Sequence, residues 1–161
     1  MKNIKINNKL ILIFLFLTSF IALLAAYISQ YFFNLQPCIL CIYQRIPFFL
    51  VIFITLFALI KNQDNWQKNI IKISLFLLLI NALLATYHVG VEQGIFIFDE
   101  CSDLSSNLNN LNDLKDYLFQ AKAIRCDEPQ FTLFKISMAG WNIIYCLGII
   151  FITIFAKKRI K

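Results

Sequence analysis

The chain has 161 residues, 60% of them hydrophobic, with 17 Phe against 4 Gly and 3 Pro. That apolar share exceeds what a soluble domain carries, and it leaves no room for a separate soluble unit beside the apolar runs. The formal net charge of +6 does not gather into a nucleic-acid-binding face; its cations flank the apolar runs and so read as topology markers.

Four runs, 10–33, 42–60, 70–89 and 133–156, approach or exceed the twenty or so residues needed to cross a bilayer. The expected fold is an all-α integral membrane protein, a single domain over 1–161 built as a four-transmembrane-helix bundle. The first run follows Lys2, Lys5 and Lys9 but is longer than the apolar stretch of about 7–15 residues in a signal peptide. No small-x-small site follows it, so it is read as a span, with Tyr27 and Tyr31 at an interface.

A short loop, 34–41, then delivers Gln36-Pro37-Cys38-Ile39-Leu40-Cys41-Ile42-Tyr43-Gln44-Arg45 to the membrane edge. Two thiols at this spacing can close into a redox-active disulfide. On the first turn of a helix starting near Pro37, the helix end would favour a thiolate. Arg45 follows Cys41 by four residues, on the same face and one turn deeper, where a permanent cation stabilises negative charge. A cation that close to an apolar run is expensive and marks a functional position. Zinc needs two further ligands at suitable spacing, and no second close cysteine pair exists; no metal is expected. Further along the second span, Pro47 is expected to kink the helix.

The connection 61–69 holds Trp66, read as an interfacial anchor. The third span contains Asn81, an amide expected to bond a neighbouring helix, and ends at Thr86-Tyr87-His88-Val89-Gly90-Val91-Glu92 with the chain's single histidine. His88 is a candidate for a proton or quinone role, against the plainer reading of a satisfied polar group. The long loop 90–132 carries Cys101 and Cys126, and Leu104, Leu108, Leu111, Leu114 and Leu118 recur at helical spacing. A short amphipathic helix is expected there, flat on the membrane or packed over the bundle. The last span contains Ser137-Met138-Ala139-Gly140-Trp141-Asn142, whose small residues permit close helix contact, and Cys146, expected to be inert packing.

Charge fixes the expected orientation. Lys2, Lys5, Lys9, Lys61, Lys68, Lys72, Lys157, Lys158, Arg159 and Lys161 fall on one side, with Asp64 as that side's single acid. Glu92, Asp99, Glu100, Asp103, Asp113, Asp116, Asp127 and Glu128 fall on the other. This is a positive-inside pattern with both termini cytoplasmic. Cys38, Cys41, Cys101 and Cys126 then share the outer, oxidising side. Two structural staples would account for an even number of cysteines, but a CxxC closes too short a loop to restrain the chain. Two couples on adjacent loops instead permit thiol–disulfide exchange.

These motifs, together with Cys126-Asp127-Glu128-Pro129, resemble the DsbB family of bacterial inner-membrane disulfide bond formation proteins over nearly the whole chain. The resemblance implies a protein-disulfide:quinone oxidoreductase. It would reoxidise a periplasmic DsbA-like thioredoxin-fold partner and pass electrons to ubiquinone or menaquinone and the respiratory chain. It implies disulfides Cys38–Cys41 and Cys101–Cys126, with Cys38–Cys126 joining during the relay. Cys101 would engage the partner, Cys41 would face the quinone, and Arg45 would stabilise the charge; His88 is the further cofactor-side candidate. The stretch Ile95-Phe96-Ile97-Phe98-Asp99-Glu100 departs from the Gly/Pro-containing segment common in the family. The alternative readings are a membrane scaffold with structural disulfides or a bound metal, and a paralogue serving one dedicated substrate. A relay running in the reducing direction would need paired cysteines reachable from the cytoplasm, and only Cys146 lies deep.

Overall fold

In the absence of water, a backbone crossing lipid must satisfy its own hydrogen bonds, and the helix is the local way to do so. A computed structural model describes residues 7–61, 63–96, 126, 129 and 131–158. Its four long helices are α1 (Asn8–Phe32), α2 (Ile39–Lys61), α3 (Asp64–Glu92) and α4 (Met138–Lys158). All four are long and apolar enough to span a membrane. The chain is therefore a multi-pass, four-helix membrane protein, as its composition predicts. The amphipathic helix expected around Leu104–Leu118, and Cys101 with it, lies outside the described residues.

Neighbours in sequence pack as neighbours in space: α1 on α2, α2 on α3 and α3 on α4, with α1 also touching α3 and α4. The core joins Leu12, Leu15, Phe48, Val51, Ile71, Leu78, Cys146 and Ile149. Large side chains such as Phe53, Phe76, Leu83 and Phe151 point outward, which costs nothing against lipid tails. Since lipid supplies no apolar driving force between helices, small and polar side chains take the interfaces. Ser19, Thr55, Ser74, Asn81 and Thr153 are all buried. Asn81 Nδ2 donates to Cys146 Sγ at 3.5 Å, the interhelical bond expected of it, and Tyr145 Oη donates to the Thr18 carbonyl at 2.9 Å, tying α4 to α1.

The turns differ from the sequence reading. Asp64 already opens α3, so the connection after α2 is far shorter than 61–69, and Trp66 lies on the helix with its ring edge-on to Phe57 at 6.2 Å. Residues 133–137 precede the last helix as part of a hairpin, β1 (Thr132–Leu133) and β2 (Ile136–Ser137). Phe134 and Lys135 both take positive φ, 54° and 64°, the twist that a two-residue hairpin turn prefers. Pro47 lies inside α2 and is buried; the helix continues through it, although its ring removes one backbone donor.

Candidate functional site

The CxxC segment gains its geometry from a helix start. Cys38 immediately precedes α2: its carbonyl accepts from Ile42 N at 3.2 Å, and its sulfur accepts from Cys41 N at 3.3 Å. This is the N-cap arrangement, with a thiol in the role that serine usually plays. The cap turns both sulfurs toward each other, and Cys38 Sγ donates to Cys41 Sγ at 3.0 Å. With Cys41 accepting its proton, and with burial, the Cys38 thiol is pushed up to about 12, while His88 works in the opposite direction. Cys38 is thus a held proton donor to its partner sulfur.

The third helix brings His88 across. Its Nε2 lies 3.5 Å from Cys38 Sγ and 3.7 Å from Glu92 Oε1, while its Nδ1 lies 2.9 Å from Gln44 Nε2. Gln44 in turn accepts from Asn142 Nδ2 at 2.8 Å. Three helices therefore converge on one imidazole. The end of α3 is closed by Gly94 at φ 71°: Ile95 N donates to the Gly90 carbonyl at 2.8 Å and Gly94 N to the Val91 carbonyl at 3.0 Å, a Schellman motif. Phe96 folds back over Gly90 so closely that a Cβ there would stand 2.4 Å from its ring, and it stacks on Tyr87 at 5.3 Å.

Arg45 stands one turn below Cys41 and is half-buried. Its Nη1 donates to Gln30 Oε1 at 2.8 Å, and its guanidinium lies 4.9 Å from the centroid of the Tyr27 ring. Both partners belong to α1, so the cation is fixed by the neighbouring helix and does not simply reach for the surface.

Cys38, Cys41, Gln44, Arg45, His88 and Cys126 all open on one cavity of about 320 Å³ whose other walls are largely apolar, including Ile21, Ala22, Ala25 and Phe48. Cys126 is buried and packs in one cluster with Cys38, Leu40 and Val91, against Cys41 and Tyr87. Of the expected site residues, Cys38, Cys41, Arg45, His88 and Cys126 come together; Cys101 falls outside the described residues. Sequence reasoning missed Gln30, Gln44 and Asn142 as site residues. Their signal was present, since each is an amide inside or at the edge of an apolar span, where polar side chains need a reason. Cys146 packs in the core as expected, but it also has polar neighbours that the sequence reading did not give it. It lies in a polar chain, accepting from Asn81 and donating to Asn142 Oδ1 at 3.5 Å.

Donor atoms of Cys38, Cys41 and His88 lie within 4.8 Å of one another, a cluster suited to thiol chemistry with a ring nitrogen at hand.

Residues 8–156 match the family model for disulfide bond formation protein DsbB. Uncharacterized protein RP370 of Rickettsia prowazekii (strain Madrid E) is 34% identical over 143 residues, covering 87% of this chain and 82% of that protein. Disulfide bond formation protein B of Blochmanniella floridana is 30% identical over 137 residues, covering 81% and 76%. No solved structure matches the chain. With the match running through all four helices and the CxxC site at their shared end, the chain belongs to the DsbB family of membrane proteins for disulfide bond formation.

Proposed function

We propose that this protein is a protein-disulfide:quinone oxidoreductase of the bacterial inner membrane, with both termini cytoplasmic. In this reading it reoxidises a periplasmic DsbA-like thioredoxin-fold dithiol protein through Cys101 and Cys126, and the electrons pass to Cys38 and Cys41. The observation that carries the reading is the 3.0 Å sulfur pair opening on an apolar cavity that a fixed cation also lines. The cavity volume falls within the range of small-molecule sites, and its mixture of apolar walls with a few convergent polar groups suits a flat, lipid-soluble carbonyl compound.

A bound quinone supplies an acceptor for two electrons and two protons. Cys41, Arg45 and His88 are the residues that would hold it. The apolar walls exclude water, so the charge on Arg45 acts with little screening. Cys38 keeps its proton directed at Cys41, leaving the Cys41 sulfur as the electron-rich member of the couple. Buried Cys126 beside Cys38 supports exchange between the two couples, because a thiolate must reach the sulfur it attacks. The flanking positive charges in the sequence support the orientation.

The test is direct. Purified protein receives excess reduced thioredoxin-fold partner and a water-soluble quinone, and quinone absorbance is followed. Loss of absorbance that disappears in Cys41→Ser and Cys101→Ser supports the reading; a steady signal with the partner still reduced sinks it.

A further inference from the structure

The geometry points to Gln44 and Asn142 as positioning residues that hold His88 as the Nε2–H tautomer, a hydrogen-bond donor to Cys38 sulfur and not a base toward it. Neighbours on both sides of the ring select this tautomer. On the Nδ1 side, Asn142 Nδ2 donates to Gln44 Oε1 at 2.8 Å, which turns the Gln44 NH₂ toward His88 Nδ1 at 2.9 Å. An amide NH₂ only donates, so Nδ1 must present its lone pair. Asn142 is itself oriented by Cys146, whose thiol donates to Oδ1 while its sulfur accepts from Asn81.

On the Nε2 side both neighbours are acceptors. Glu92 Oε1 lies at 3.7 Å. Cys38 Sγ lies at 3.5 Å, and the single proton of that thiol already points at Cys41. Nε2 must therefore carry the hydrogen. The bonds run in one direction, from Asn81 through Cys146, Asn142, Gln44, His88 and Cys38 to the Cys41 sulfur, and hydrogen bonds aligned this way polarise one another.

Two consequences follow. An Nε2 that holds a proton has no lone pair for the Cys38 proton, so His88 polarises the sulfur without deprotonating it. The same arrangement disfavours a metal at Nε2, because a ligating imidazole protonates its other nitrogen toward an acceptor, whereas Nδ1 faces the Gln44 NH₂.

The tautomer stands independently of the electron acceptor; only its effect on turnover rests on the proposed dithiol oxidation. Because His88 is the chain's single histidine, ¹⁵N-histidine labelling of the full chain in detergent gives one imidazole. The spectrum is taken with the dithiol reduced, across a pH series, and read where the signal is that of the neutral ring. The expected result is a protonated Nε2 and a bare Nδ1, in roughly tenfold or greater excess over the other form. Asn142→Leu and the near-isosteric Gln44→Met should each mix the two forms and slow Cys38–Cys41 oxidation about three- to tenfold, the effect of one neutral hydrogen bond. A protonated Nδ1 in the unaltered protein overturns the inference whatever the variants do, and so does an unchanged tautomer in both variants. The expected tautomer in a protein that reduces no quinone would uphold it while refuting the proposed function.

Discussion

Arg45 Nη1 donates to Gln30 Oε1 at 2.8 Å, so the cation that faces the dithiol cavity is oriented by α1 rather than by its own helix. The Tyr27 ring, 4.9 Å away, completes the support. Gln30→Leu should leave the charge in place but loosen its position, raising the apparent KM for a water-soluble quinone about three- to tenfold, the reach of one charge-assisted hydrogen bond. Arg45→Ala should have the larger effect. Steady-state kinetics at varied quinone, beside exchange with the thiol partner held unchanged, checks both.

Cys38 should resist alkylation well into alkaline solution. Its thiol is pushed up to about 12, first by the hydrogen bond to Cys41 and then by burial, so the reactive thiolate is scarce below that pH. Because the folded value exceeds the ordinary one of about 9, the stability gained from keeping Cys38 protonated is complete below pH 9 and is lost as pH rises toward 12. Cys41→Ser removes the sulfur acceptor, and the onset of Cys38 labelling should move to lower pH. Iodoacetamide labelling across a pH series, read by peptide mass spectrometry, provides the measurement.

Cys146 should matter to stability through its polar neighbours. Cys146→Val strands Asn81 Nδ2 and Asn142 Oδ1, which now donate to and accept from it. Leaving a buried polar group such as Asn81 Nδ2 without a partner costs about 1–3 kcal/mol, and the half-buried Asn142 adds less. Cys146→Ser keeps both capacities and should cost less. Denaturant titration in mixed micelles, comparing the two variants, separates lost hydrogen bonding from lost packing.

Filling the cavity should discriminate a quinone site from a structural void. Ala25 lines the cavity and is exposed on α1, so Ala25→Phe places a ring in the space without forcing the core apart. Apparent quinone affinity should fall about tenfold or more, whereas the thermal midpoint should hold, since surface substitutions usually stay within about 0.5 kcal/mol. Equal affinity in the two proteins would argue that the cavity is not where the acceptor binds.

Much of the site was legible in the sequence because its chemistry is local. Cys38, Cys41 and Arg45 lie within eight positions, and helix geometry alone puts them on one face. The boundaries were less legible. Asp64-Asn65-Trp66-Gln67-Lys68 looks like a polar turn, yet it is the first turn of α3, with Gln67 buried. The hairpin turn at Phe134-Lys135 carries none of the Gly or Asn residues that usually announce positive φ.

Composition and the spacing of charge determined that this is a four-span membrane protein, because a bilayer imposes a length and a polarity that can be read one residue at a time. The CxxC and Arg45 were determined in the same way. What only the tertiary structure decided is which polar groups meet: Gln30 with Arg45, Asn81 with Cys146, and Asn142 with Gln44 and His88. Hydrogen bonds between helices depend on the rotation of each helix about its axis. That rotation is set by packing among residues as far apart as 44 and 142, and no local pattern encodes it.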